Sequence, residues 1–118
     1  MTERARRVRP GATAEIDFAN ILRWTTENFG ARQSRVYRDT LVQAIGELAG
    51  GPNVAGSRAR DEIVAGLRTL HIARRGRRGN YFLMYRAASN SSIEIVRIPH
   101  DRMDLRRHVP SVPDESTK

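Results

Sequence analysis

Between Ala12 and Phe29 the side chains of Ala14, Phe18, Ile21, Leu22, Thr25 and Phe29 recur at the three- and four-residue offsets of one helical face, and Gly30 supplies a stop. A second stripe follows at once. Tyr37, Leu41, Ala44, Ile45 and Leu48 share a face, with Arg35, Arg38, Asp39, Gln43 and Glu47 largely off it, and Gly50-Gly51-Pro52 closes the pattern. The spacing predicts a helical hairpin whose apolar stripes face a common layer. Gly46 costs the second helix about 1 kcal/mol relative to alanine.

Ahead of the hairpin, residues 5–9 read as a short strand with Val8 as its apolar contact, ended by Pro10-Gly11. Behind it, Gly, Pro, Asn and Ser accumulate over residues 50–60, which predicts a surface loop. The period then changes to two. Residues 67–73, 81–86 and 93–98 are rich in β-branched and aromatic side chains and are separated by turn-forming stretches, the pattern of an antiparallel meander. The expected fold class is α+β: an N-terminal strand, a helical hairpin and a three-stranded antiparallel meander, in one domain over residues 1–109 with a polar tail at 110–118.

Two helices cover one face of a sheet, yet the strands carry apolar groups on both parities: Phe82 and Met84 against Tyr81, Leu83 and Tyr85, then Ile93 and Ile95 against Val96 and Ile98. The surplus predicts either a greasy groove on the far face, open to a partner, or a cover made by Met103, Leu105 and Val109 folding back. Periodicity does not choose between them. Trp24, on the first helix, is expected to be packed.

Charge sharpens the picture. The chain of 118 residues carries a net charge of +8 with no cysteine, and its cations are 20 arginines and one lysine, Lys118. Guanidinium forks onto carboxylate or phosphate, so the expected partner is acidic, a polypeptide or a nucleic acid. The missing cysteines exclude disulfides, thiolate metal sites and cysteine nucleophiles. No apolar run approaches the roughly 20 residues of a membrane span, and the basic residues 1–10 lack a signal peptide's apolar stretch, so a non-exported protein with no membrane contact is expected.

His71, His100 and His108 are too dispersed for a metal site, and no phosphate-binding glycine loop or nucleophile elbow is present, so neither metal nor cofactor is expected. Metal-free ribonuclease chemistry needs a general base, a general acid and cations around an in-line phosphate, and His100, Arg68, Arg97 and Tyr85 supply those types. The densest charge is Arg74-Arg75-Gly76-Arg77-Arg78-Gly79, a glycine-flexed turn suited to clamping an acidic helix or a phosphate backbone. In the stretch His100 to His108, charges alternate with Met103 and Leu105, which can pin the segment while Arg102, Arg106 and Arg107 stay exposed.

These residues form a familiar order. Gly66-Leu67-Arg68 entering the sheet, Tyr81-Phe82-Leu83-Met84-Tyr85-Arg86 as middle strand, and the closing run from Ile95 to His108 resemble the ParE branch of the RelE/ParE toxin superfamily. Its most specific part is His100-Asp101-Arg102-Met103-Asp104 with His108 behind. Asp17, Ile21, Trp24, Phe29-Gly30, Tyr37 and Leu41 match as well, so the likeness spans residues 5–109.

The resemblance implies a cytoplasmic type II toxin restrained by a ParD-like antitoxin, whose C-terminal segment wraps it, and a freed toxin that poisons DNA gyrase by binding and not by catalysis. On that reading Arg102, Met103, Arg106, Arg107 and His108 are candidate target contacts. Arg74, Arg75, Arg77, Arg78, Phe82, Met84 and Arg86 are candidate antitoxin contacts. The alternative is the RelE branch, which cleaves ribosome-bound mRNA. Phe82 stands where that branch tends to place an arginine, and no tyrosine follows Tyr85. From ParE itself the chain departs in Gly11-Ala12, which replaces a common Ser-Pro, and in a longer, more basic hairpin at residues 74–80. Direct binding of nucleic acid alone is the third reading; it lacks an exposed aromatic platform or an obvious recognition helix.

Overall fold

A computed structural model describes residues 7–73, 76–88, 91–103 and 105–108. Both helices fall where the stripes put them: α1 spans Ala12–Phe29 and α2 spans Ala31–Glu47, running on into a 3-10 turn over Leu48–Gly50. Only Gly30 separates them. Its φ of 96° is open to glycine without strain, and its N–H donates to the Thr26 carbonyl at 2.9 Å, closing α1 as α2 begins. The Ser34 hydroxyl also reaches across to the Leu22 carbonyl at 3.1 Å.

The strands are β1 (Arg7–Pro10), β2 (Arg58–Ala59), β3 (Leu67–His71), β4 (Phe82–Ala87) and β5 (Ser92–Arg97), in one sheet of order β1-β5-β4-β3-β2. The meander β3-β4-β5 is antiparallel as expected, and β1 lies parallel to β5 with Val8 opposite Ile93. β2 corrects the loop reading of residues 50–60. Two residues there pair antiparallel to β3, Arg58 with Thr69 and Ala59 with Arg68, a strand too short to show a period. The expected tail, residues 110–118, and Val109 lie outside the described residues.

The apolar surplus resolves into two clusters. On the helix side Leu70, Ile72, Leu83, Tyr85, Ile93 and Ile95 close against Ala14, Ile21, Leu41, Ala44 and Leu48. Burying side chains of this size contributes about 1.5–3 kcal/mol each, which makes this layer the main source of stability. On the far face a smaller cluster of Leu67, Met84 and Val96 is covered by Ile63 and Leu105. Leu105 therefore folds back as one of the two expectations required, whereas Met103 does not. The register of β4 against β5 shifts between Met84 and Tyr85, which face Arg97 and Ile95, so Val96 is the extra residue of a bulge. That bulge breaks the alternation, which is why β5 showed apolar groups on both parities.

Candidate functional site

Among the described residues an open apolar depression lies beside α1 and not on the far face of the sheet. Asp17, Asn20, Ile21 and Trp24 recur at helical spacing on α1 and form one wall of a groove of about 720 Å³. Phe29, Gln33 and Tyr37 close its end, and Asn80, Tyr81 and the run from Arg97 to His100 with Met103 make the opposite wall.

Its rim is greasy. Trp24, Phe29 and Met103 expose 52%, 65% and 50% of their surfaces, and the Trp24 and Phe29 rings meet edge-on at 5.6 Å. Large side chains left uncovered around one depression mark a surface built to be covered. The expectation that Trp24 is packed is thereby corrected. Trp24 follows Asp17 by seven residues, so both project the same way beside the core stripe and not within it. That spacing was the available signal for the groove.

The floor is polar and rigid. Asp17 accepts from Arg97 Nε at 2.8 Å and Nη2 at 3.1 Å, and its Oδ2 also accepts the Ile98 N–H at 2.9 Å. This bidentate pair ties α1 to the end of β5. At the other end the Asn80 N–H donates to the Tyr37 hydroxyl at 2.9 Å, while Tyr81 stands edge-on to Tyr37 at 5.8 Å and to His100 at 5.2 Å. Burial pushes both tyrosine hydroxyls above their ordinary pKa, with the Asp101 carboxylate adding to the rise. Gly79 makes this close approach possible, since a Cβ there would overlap the Ile72 side chain and press on the Tyr37 hydroxyl.

The ribonuclease set is not brought together. Tyr85 is fully buried in the helix-side core and its hydroxyl donates to the Pro52 carbonyl at 2.6 Å. Arg68 donates to the Ser57 hydroxyl at 2.8 Å, and Arg97 is engaged with Asp17. Arg97 and His100 line the groove; Tyr85 and Arg68 do not.

The expected antitoxin contacts also separate. Met84 is fully buried beneath Ile63 and Leu105, so it offers no surface. Arg77 turns inward, with 12% of its side chain exposed, pairing with Glu47 at 3.1 Å and donating from Nε to the Ile72 carbonyl at 3.3 Å. Its charge staples the hairpin to α2, because a carboxylate on α2 and a carbonyl at the end of β3 sit within its reach. Arg86 donates to Glu94 Oε1 at 3.0 Å and 3.2 Å. Phe82 is half-buried, with the His71 ring edge-on at 5.0 Å and the Arg60 guanidinium 5.7 Å from its centroid. Arg78 is exposed, and Arg74 and Arg75 lie outside the described residues.

Of the expected target contacts, Arg102 and Met103 are exposed just after β5, and Leu105–His108 form a 3-10 turn in which Arg106 is exposed. The backbone of Arg107 and His108 belongs to that turn. Among the described residues no cluster of His, Asp and Glu is arranged to hold a metal ion, and no helix is long and apolar enough to cross a membrane.

Comparison with known proteins places this geometry. The family model for the ParE toxin of the type II toxin–antitoxin system parDE matches residues 8–105. Toxin ParE1 of Mycobacterium tuberculosis, strain CDC 1551 / Oshkosh, is 33% identical over 100 residues, covering 85% of this chain and 92% of the relative. The same figures hold for Toxin ParE1 of strain ATCC 25618 / H37Rv. A solved chain of the chromosomal ParDE TA system from P. aeruginosa superposes with a TM-score of 0.67 at 20% identity, covering 81% of this chain and 96% of that one, a likeness of fold. The chain belongs to the ParE toxin family of type II toxin–antitoxin systems.

Proposed function

We propose that this toxin is held inactive by a ParD-like antitoxin whose C-terminal segment occupies the groove beside α1, and that the freed toxin acts on DNA gyrase in the cytoplasm by binding. The observation that carries the first half is the exposed rim of Trp24, Phe29 and Met103 around a preformed depression. An amphipathic acidic segment fits it: apolar side chains against the rim, carboxylates toward the arginines that give the chain its +8 charge.

Action by binding, without bond chemistry, is supported by the dispersal of His100, Arg68, Arg97 and Tyr85, which leaves no base and acid facing a common point. Arg102 and Arg106, exposed on the segment after β5, are the target contacts in this reading.

The test uses purified full-length toxin with gyrase and plasmid. Supercoiling should fall and cleaved plasmid accumulate, and an equimolar antitoxin should restore both. Normal supercoiling at toxin excess over gyrase would remove gyrase as the target, and codon-phased cuts in mRNA of a translating extract would favour the ribonuclease branch.

A further inference from the structure

One polar junction is not used by the toxin reading. The Asp101 N–H donates to the Asn80 carbonyl at 2.7 Å, and the Asp101 Oδ2 lies 2.8 Å from His71 Nε2. The other ring nitrogen, Nδ1, accepts the Ala73 N–H at 3.0 Å. An accepting Nδ1 carries no hydrogen, so Nε2–H is the donor to Asp101. A single aspartate thus fastens the segment after β5 to β3 and to the turn before β4.

That segment serves both sides of the sheet. Met103 stands on the rim of the α1 groove, its N–H bonded to the His100 carbonyl at 3.1 Å. Leu105 packs on the far face over Leu67, Met84 and Val96, where Ile63 is its partner in the cover. We infer that Asp101, Arg102, Met103 and Leu105 form a strap closed by the His71–Asp101 pair: with the pair made, Leu105 seals the far apolar cluster and Met103 is held at the groove; with it broken, the strap lifts and Met84 is uncovered. The elements on the fixed side, β3 and β4, are locked into the core through Leu70 and Leu83, so loss of the pair should displace the strap and not the sheet. The inference does not depend on which partner fills the groove or on gyrase.

The two methionines report on it directly, because thioether oxidation follows solvent access. Full-length protein is exposed to dilute hydrogen peroxide and sulfoxide is quantified in each peptide by mass spectrometry. In the parent Met103 oxidises readily and Met84 is protected, as their half-exposed and fully buried positions require. Asp101→Ala should raise the Met84 oxidation rate at least tenfold while the amides of Leu70 and Leu83 keep parental hydrogen-exchange protection. His71→Ala should behave the same way, and His71→Gln, which retains an N–H donor, should stay within about threefold of the parent. Unchanged Met84 protection in Asp101→Ala would overturn the strap. So would Met84 exposure accompanied by lost protection at Leu70 and Leu83, which would make the pair a general fold support, and so would a His71→Gln as exposed as His71→Ala.

Discussion

The two faces of the sheet are covered in different ways. The helix side is sealed by two helices whose stripes were built for it, with Leu41, Ala44 and Leu48 fully buried against Leu83 and Ile95. The far side has one small cluster covered by Ile63 and Leu105, and around it arginines already engaged with Thr69, Glu94 and the Phe82 ring. The groove beside α1 belongs to neither: its aromatic rim has no cover among the described residues. A surface that the chain buries contributes to stability, and one that it leaves open is available for recognition.

The difference can be broken first in the core. Leu83→Ala should cost about 2–5 kcal/mol in urea unfolding, through lost burial and the cavity left in the helix-side core, whereas Leu105→Ala on the far side should cost only about 1 kcal/mol. Equal losses would mean that the strap is as integral to folding as the helices. Next comes the groove floor. Asp17→Ala removes the bidentate acceptor of Arg97 and the acceptor of the Ile98 N–H in a site only an eighth to a quarter exposed, and about 2 kcal/mol should be lost after allowing for solvent screening. Asp17→Asn should lose less, since one oxygen still accepts.

A smaller effect appears at high pH. Tyr37 and Tyr81 have raised pKa values in the fold, by burial first, so the folded state prefers their neutral form. The stability they confer is complete below the unfolded tyrosine value of about 10 and is lost as the pH climbs through their folded values. Unfolding midpoints should therefore decline above about pH 10, and Tyr81→Phe should flatten that decline. Absorbance at the phenolate band should show Tyr81 titrating earlier in Asp101→Asn, where the neighbouring charge is gone. The smallest change is a gain. Gly46 is exposed in α2 with open space where a Cβ would stand, so Gly46→Ala should stabilise by about 0.5–1 kcal/mol in thermal unfolding.

Much of this contrast was legible in the residues. The stripes from Ala14 and from Tyr37 bounded both helices closely, because a buried face repeats over several turns, and the period-two segments located β3, β4 and β5. β2 escaped because two residues carry no period. Periodicity says that a side chain is buried and not what buries it, so it does not identify the far-face cover, which is Ile63 and Leu105. Arg77 read as part of a charged tip, and only the fold brings Glu47 beneath it. Trp24 is the instructive case. Its position beside Asp17 on the flank of the core stripe was visible, but burial is the ordinary fate of tryptophan in a small domain, and exposure emerges only once the opposite wall is in place.

The decisive measurement is calorimetric titration of the cognate antitoxin into four forms of the toxin: parent, Trp24→Ala, Phe29→Ala and Arg86→Ala. With the antitoxin seated in the groove, Trp24→Ala and Phe29→Ala should each weaken binding at least tenfold with little change in thermal stability, while Arg86→Ala on the far face stays within about threefold of the parent. Parental affinity in both groove variants together with a large loss in Arg86→Ala would contradict it and move the antitoxin to the other side of the sheet.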